Sequence, residues 1–178
     1  MMKIIAFAGS NSKNSINKKF AIYAASLFED SDVEILDLND YELPIFSVDL
    51  ERELGKPMIA RTFLNKLAEC DIVVLSLAEH NSSFTAAFKN IFDWASRQDR
   101  LVFGNTPMLL LATATGSGGG RNVIEMAKMT LPKYGAKIKA TFFMPMFNEN
   151  FDNESNLISA HDYDNELREI IKNFSIAD

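Results

Sequence analysis

Five short apolar segments alternate along the chain with five longer segments in which apolar residues recur at helical spacing. The apolar segments are residues 3–8, 33–38, 72–77, 107–112 and 138–144, and the helical segments are residues 16–28, 59–69, 85–99, 121–134 and 163–174. Alternating β and α units predict a parallel sheet covered by helices on both faces. Residues 33–38 alternate between apolar and polar, which is typical of an edge strand, whereas the first, third and fourth runs are apolar almost throughout. We therefore predict a three-layer α/β/α domain over residues 1–178, with a five-stranded parallel sheet in the order 2-1-3-4-5.

The chain is acidic, because 18 Lys and Arg residues stand against 24 Asp and Glu residues and give a net charge of −6. Such a chain has no general attraction for nucleic-acid backbones or anionic membrane surfaces, so we expect neither as a partner. The single cysteine, Cys70, cannot form an internal disulfide, and with only His80 and His161 as further soft ligands we predict no metal site. The N-terminal apolar run is shorter than the roughly 7–15 residues of a signal-peptide core, and no run approaches the roughly 18 residues of a membrane span. We therefore expect a cytoplasmic protein.

In an open sheet of this kind, ligands bind beyond the carboxyl ends of the strands, where the strand order reverses. The candidate site therefore lies in the loops that follow the first, third and fourth strands. Two other irregular stretches, residues 39–57 and 145–158, are long enough to carry function or a subunit contact.

The first of the three loops, residues 9–17, crowds Ser and Asn around Lys13 and opens a helix. Hydrogen-bond donors, a helix N-terminus and one cation together suit a phosphate group. Ser and Asn are also the preferred helix caps, so the loop predicts either a phosphate site or only an N-capped turn. It lacks the glycines of a dinucleotide fingerprint and the Gly-Lys-Ser/Thr of a Walker loop.

The other two loops carry different signals. In the second loop, Glu79 and His80 are adjacent and resemble an acid–base pair, but neighbouring residues after a strand point to opposite sides, which weakens that interpretation. In the third loop, four of the five residues 116–120 are glycine, so its backbone can approach a ligand closely.

Together the three loops resemble those of the NAD(P)H-dependent FMN reductase family of flavodoxin-like proteins. The first loop matches the family pattern G-S-x-R-x-x-S-x-N at Gly9, Ser10, Ser15 and Asn17. The second matches P-E-Y-N-x-S-x-P-G-x-L-K-N-x-x-D-W at Glu79, Asn81, Ser83, Lys89, Asn90, Asp93 and Trp94, and the third matches T-G-x-x-G-G at Thr115, Gly116, Gly119 and Gly120. The chain departs from the pattern with Ser12 in place of Arg, Ala78 in place of Pro, His80 in place of Tyr, and Thr85-Ala86 in place of Pro-Gly.

The resemblance implies a flavodoxin-like fold and an enzyme that uses bound FMN to pass electrons from NAD(P)H to a quinone, azo, nitro or similar small acceptor. It implies that the first loop holds the phosphate, that backbone amides of residues 78–83 bind the edge of the flavin ring, and that His80 and residues 115–119 flank the ring. The cofactor-binding residues implied in this way are Ser10, Ser12, Lys13, Ser15, Ile16, Asn17, Ala78, Glu79, His80, Asn81, Ser82, Ser83, Thr115, Gly116, Ser117, Gly118 and Gly119. Since the flavin itself carries the chemistry, we predict no obligatory catalytic side chain.

Two alternatives to the enzyme remain open from the sequence: a flavodoxin-like electron carrier, and a flavodoxin-like binding module that has lost its flavin. The resemblance also implies a homodimer or homotetramer with the flavin near the interface. The aromatic helix at residues 85–99 is the candidate contact, because Phe84 and Trp94 fall off the stripe formed by Phe88 and Phe92 and would widen its apolar surface.

Overall fold

A computed structural model of the protein describes residues 1–175. The strands are β1 (Met2–Gly9), β2 (Ser31–Leu36), β3 (Ile72–Leu77), β4 (Glu79–His80), β5 (Ser83–Phe84), β6 (Pro107–Thr113), β7 (Lys137–Met144), β8 (Phe151–Asp152) and β9 (Leu157–Ile158). The α-helices are α1 (Ile16–Ser26), α2 (Val48–Leu54), α3 (Met58–Ala68), α4 (Ala86–Gln98), α5 (Arg121–Thr130), α6 (Phe147–Asn150) and α7 (His161–Lys172). Single 3₁₀ turns occupy Leu38–Tyr41 and Leu131–Tyr134.

The main sheet has five parallel strands in the order β2-β1-β3-β6-β7, which confirms the predicted order and places β2 at an edge. All six residues of β3 are buried, as its unbroken apolar sequence predicts. The second strand ends at Leu36 rather than at residue 38, because Asp37 caps the 3₁₀ turn that follows. Its side chain accepts a hydrogen bond from the Asn39 N–H, which turns the chain out of the sheet.

Each face of the sheet is covered by its own hydrophobic cluster. Alternate residues of the central strands, such as Phe7 and Leu75, pack against α3, α4 and α5 on one face. The residues between them, such as Ala6 and Val74, pack against α1 and α7 on the other face. This alternation of Cβ directions gives the predicted three layers and leaves the carboxyl ends of the strands as the exposed edge.

Both stretches that the sequence indicates as irregular contain short elements. Residues 39–57 include α2, a helix with no buried residue that begins where the Ser47 side chain accepts a hydrogen bond from the Leu50 N–H. Residues 145–158 include α6 and the two-stranded hairpin β8–β9. None of these segments contributes a long apolar face, which is why hydrophobic periodicity does not detect them.

The expectation of a wide apolar surface on α4 is wrong. Trp94 is only 1% exposed, because residues 43–46 of the same chain lie across it. The Trp94 Nε1–H donates to the Pro44 carbonyl oxygen at 2.8 Å, and the Phe46 ring meets the indole edge to face at 5.1 Å between centroids. Asn90 fixes the same segment, since its amide donates to the Leu43 carbonyl and accepts from the Phe46 N–H.

Candidate functional site

The three loops singled out in the sequence meet at the carboxyl edge of the sheet and line one cleft of about 320 Å³. The residues that line it are Ser10, Ser12, Asn14, Ser15, Ile16, Asn17, Ala78, Glu79, His80, Thr113, Ala114 and Thr115. Nine of them belong to the predicted set, and Asn14, Thr113 and Ala114 are additions. Asn14 lies between two predicted residues of the first loop, and Thr113 and Ala114 directly precede the predicted residues of the third loop.

The first loop presents donors that have no acceptor among residues 1–175. Ser15 caps α1, since its Oγ accepts the Lys18 N–H at 3.2 Å. The N–H groups of Ile16 and Asn17 in the first helical turn bond to no acceptor within residues 1–175. Lys13 is exposed and pairs with no carboxylate in that part of the chain. The predicted N-capped turn is therefore present, and the same helix end still offers amides and a cation to an anion, so the phosphate site stays a prediction.

The Asn17 side chain joins the first and third loops from beneath the cleft. It is 2% exposed, and its Oδ1 accepts hydrogen bonds from the Ser76 hydroxyl at 2.7 Å and the Thr113 N–H at 3.0 Å. Its Nδ2 donates to the Thr113 carbonyl at 3.0 Å. Asn17 thus ties the start of α1 to β3 and β6, a role that its place in the motif alone does not indicate.

The second loop is a two-residue β-hairpin whose turn residues, Asn81 and Ser82, both have positive φ angles of 51° and 60°. This is the geometry of a type I′ turn, which glycine and asparagine adopt more easily than serine. The N–H groups of both turn residues lack an acceptor among the described residues. His80 precedes the turn and is exposed at the rim of the cleft.

Two side chains of this hairpin point away from the cleft toward α5. The Glu79 carboxylate accepts the Val123 N–H at 2.8 Å and the Asn122 amide at 3.2 Å. The Ser83 hydroxyl donates to the Met126 sulfur at 3.5 Å. The hydrogen bonds of the Glu79 carboxylate go to α5, and none joins it to His80, so the described residues give no support to an acid–base pair.

Two glycines of the third loop, Gly119 and Gly120, have positive φ angles, and two others, Gly116 and Gly118, face open space. A Cβ on Gly119, whose φ is +61°, would lie 2.9 Å from the Pro145 nitrogen. By contrast, a Cβ on Gly116 or Gly118 would meet nothing within 4 Å, so the backbone there faces open space. The segment after β7 braces this loop, because the Met146 N–H donates to the Gly116 carbonyl at 3.1 Å.

Other candidate chemistry is weak. Within residues 1–175, no three His, Cys, Asp or Glu side chains lie close enough to hold a metal ion, and no helix is long and apolar enough to cross a membrane. Burial raises the pKa of the Cys70 thiol to about 11, so little thiolate forms near neutral pH. Among the described residues, Glu79 is the one acidic residue that lines the cleft, and its carboxylate oxygens accept hydrogen bonds from the start of α5.

Comparison with known proteins places this geometry in a family. Residues 2–149 match the profile of the NADPH-dependent FMN reductase family. The chain is 29% identical over 133 residues to an NADPH:quinone oxidoreductase from Arabidopsis thaliana, a match that covers 72% of this chain and 66% of that protein. It is 32% identical over 120 residues to a 2-hydroxy-1,4-benzoquinone reductase from Burkholderia sp, a match that covers 66% of this chain and 63% of that protein.

Solved structures share the fold over nearly the whole chain. The flavoenzyme NAD(P)H:(acceptor) oxidoreductase FerB from Paracoccus denitrificans superimposes with a TM-score of 0.76 at 21% identity, covering 98% of this chain and 95% of that one. An NADH:FMN oxidoreductase in its apo form superimposes with a TM-score of 0.69 at 20% identity, covering 98% of this chain and 91% of that one. These structures share the flavodoxin-like arrangement of the sheet and helices, and the sequence match over residues 2–149 is specific. The chain belongs to the NADPH-dependent FMN reductase family.

Proposed function

We propose that the protein binds FMN in the cleft and uses it to pass electrons from NAD(P)H to a quinone, azo, nitro or similar small acceptor. One observation carries this proposal: three loops that match the family patterns contribute residues to one cleft, and the first two of these loops have backbone amides with no acceptor among residues 1–175. A quinone is the favoured acceptor, because the Arabidopsis and Burkholderia relatives are quinone reductases by name.

The residues present fit FMN. Ser10, Ser12 and Lys13, with the free amides of Ile16 and Asn17, would hold the phosphate at the N-terminus of α1. The exposed backbone of residues 115–118 and the amides of the hairpin turn would hold the ring. Bound FMN would supply hydride acceptance and electron transfer, so the chain's own residues need only bind and orient it. No side chain in the cleft is assigned an obligatory acid or base role.

The experiment is an FMN titration by calorimetry on the wild type, Ser12→Arg and Lys13→Ala, followed by NADPH and NADH oxidation with a panel of acceptors. An Arg at position 12 adds a bidentate charged contact worth roughly 1.5–3 kcal/mol, so we expect it to tighten FMN binding by roughly 10- to 150-fold. Lys13→Ala should weaken FMN binding, and both effects should shrink for riboflavin, which lacks the phosphate. If riboflavin and FMN bind all three proteins alike, the first loop is only a helix cap and the FMN assignment fails.

The two alternatives give different results in the same experiment. An electron carrier would bind FMN but react slowly with NAD(P)H, whereas a binding module that has lost its flavin would not bind FMN at all. Family membership favours the enzyme over both, since the family is defined by NADPH-dependent FMN reduction.

We also infer a homodimer or homotetramer, with a contact that differs from the one the sequence indicated. Because the aromatic face of α4 is covered, the exposed apolar side chains between residues 45 and 59 are the better candidates: Ile45 is 84% exposed, Val48 54% and Met58 75%. Of these, Ile45 lines a second cavity, of about 460 Å³, that reaches the first loop at Asn11. Sedimentation of wild type and Ile45→Asp at micromolar concentration tests this, and a monomeric wild type would contradict it.

A cytoplasmic location and a single domain over residues 1–178 remain proposals as well. A lone half-buried thiol suits a reducing compartment, and cell fractionation tests the location. The last three residues of the proposed domain lie outside the described part of the chain.

A further inference from the structure

Helix α5 begins without a cap of its own. Its N-cap residue is Gly120, which has no side chain and a φ of 83°. A Cβ at this position would lie 2.7 Å from the Ala112 Cβ, so the close packing of this turn on β6 excludes Ser, Thr, Asn or Asp, the residues that normally cap a helix. The orphan amides at this helix end must find an acceptor elsewhere.

Glu79 supplies that acceptor from another loop. Its Oε2 accepts the Val123 N–H, at the third helical position, which is the amide that an N-cap side chain commonly binds. Its Oε1 accepts from the Asn122 amide. A carboxylate here also meets the positive end of the helix dipole.

The same contacts fix the hairpin that Glu79 begins. Strands β4 and β5 have two residues each, and an isolated hairpin of this length is not stable in water. The Asn122 amide also reaches the Ser82 hydroxyl at 3.4 Å, on the other side of the turn. The hairpin is therefore held in place by the start of α5, and the glycine loop leads directly into that helix.

We propose that Glu79 is a positioning residue that locks the hairpin of residues 79–84 and the glycine loop of residues 115–120 into one preformed platform. This inference rests on the proposed FMN function. The family resemblance implied cofactor contact through the backbone amides of residues 78–83; the proposal adds an indirect role for the Glu79 side chain, which acts through the backbone of both loops. Preorganisation of this kind raises affinity because the ligand does not have to order the loops when it binds.

The test compares Glu79→Ala and Glu79→Gln with a matched control, Ser47→Ala. The control removes the equivalent hydrogen bond, from the third residue of α2 to its cap, and Ser47 does not line the cleft. FMN affinity is measured by quenching of flavin fluorescence, the two-electron midpoint potential by dye equilibration, and amide hydrogen exchange on the flavin-free proteins.

We expect Glu79→Ala to weaken FMN binding tenfold or more, to shift the midpoint potential, and to speed exchange at both residues 79–84 and residues 115–123. Glu79→Gln should recover most of the affinity, because the amide oxygen can still accept the Val123 N–H. Ser47→Ala should lower the melting temperature while leaving FMN affinity within about twofold of the wild type.

The inference is overturned if Glu79→Ala loses stability but binds FMN as tightly as the control, because Glu79 is then only a remote cap. It is also overturned if Glu79→Gln binds no better than Glu79→Ala, or if exchange rises in only one of the two loops. A wild type that binds no FMN would instead refute the proposed function, and the exchange measurement would still decide whether Glu79 couples the loops.

Discussion

Replacing Asn17 with alanine should destabilise the protein more than any other single change in the cleft, although Asn17 matches a ligand-binding motif. The substitution leaves the Ser76 hydroxyl and the Thr113 N–H without their acceptor, at sites where Ser76 is 0% and Thr113 1% exposed. Each unsatisfied buried group lowers the free energy of unfolding by about 1–3 kcal/mol. The Ser76 hydroxyl can rotate, which reduces the part of this loss that it causes. We therefore expect a loss of about 3 kcal/mol in the free energy of unfolding.

Urea denaturation of the flavin-free protein measures this loss without the added stability that a bound ligand gives. For an m-value of about 2 kcal/mol/M, a loss of about 3 kcal/mol lowers the midpoint by about 1.5 M while leaving m unchanged. The matched control is Asn14→Ala, since Asn14 is exposed in the same loop and makes no hydrogen bond among the described residues; it should change stability by less than about 0.5 kcal/mol. A midpoint shift below about 0.5 M for Asn17→Ala would refute the reasoning.

Asn17→Asp separates the donor role of this side chain from its acceptor role. The change keeps both accepted bonds but sets a carboxylate oxygen against the Thr113 carbonyl, where Nδ2 now donates. Burial raises the pKa of such a carboxyl above the unfolded value of about 3.9, and the protonated form can again donate. The unfolded chain then loses its proton first, so relative stability falls as pH rises above about 4. The free energy of unfolding of Asn17→Asp should therefore lie further below that of the wild type at pH 8 than at pH 4.5. An equal difference at both pH values would contradict this prediction.

Three further predictions concern backbone strain and ionisation. Ser82→Gly should stabilise the protein by about 1 kcal/mol in urea, because Ser82 has a φ of 60° that glycine adopts without strain. Gly119→Ala should lower the free energy of unfolding by about 2 kcal/mol or more, because the new Cβ would meet backbone atoms at a positive φ. Gly118→Ala, which meets nothing, should lower it by less than about 1 kcal/mol. Equal losses for the two variants would contradict this. Burial and the hydrogen bond to Asp164 raise the pKa of Tyr23 to about 12, so the unfolded chain ionises this phenol first and stability falls between about pH 10 and 12. Tyr23→Phe should flatten that fall in alkaline denaturation curves.

The sheet and the place of the site could be predicted because they follow from local patterns. An unbroken apolar run such as residues 72–77 fits only a strand buried on both faces, and the polar alternation of residues 33–38 fits only an edge. With five parallel strands in order, topology alone brings the three loops to one edge. The capped turn of the first loop could also be predicted, since the Ser and Asn residues that favour it are adjacent in sequence.

Contacts between distant residues could not be predicted in the same way. Pro44 covers Trp94 across 50 positions, and nothing in the helical pattern of residues 85–99 shows that its apolar excess is satisfied within the chain. The bond from Val123 to Glu79 spans 44 positions, and a carboxylate after a strand looks the same whether it binds a ligand or a helix. For α2, the signal was present as Ser47 before two acidic residues in the first turn, but a seven-residue helix with five exposed and two half-buried residues gives no periodicity to support it.

Three residues that match the family pattern differ from two that depart from it in what their side chains contact, whereas Thr85, another departure, is buried and caps α4 by accepting the Phe88 N–H. Ser15, Asn17 and Glu79 match the pattern, and each uses its side chain to bind the backbone of a helix or of a neighbouring loop. Ser12 and His80 depart from it, and both are exposed side chains without a side-chain hydrogen bond among the described residues. A change at such an exposed position alters what a ligand meets while leaving the loops where they are. Under the proposed function, phosphate affinity at position 12 and the environment of the ring at position 80 can therefore change without a matching loss of stability. Ser12→Arg should then alter FMN binding while leaving the free energy of unfolding of the flavin-free protein within about 0.5 kcal/mol of the wild type.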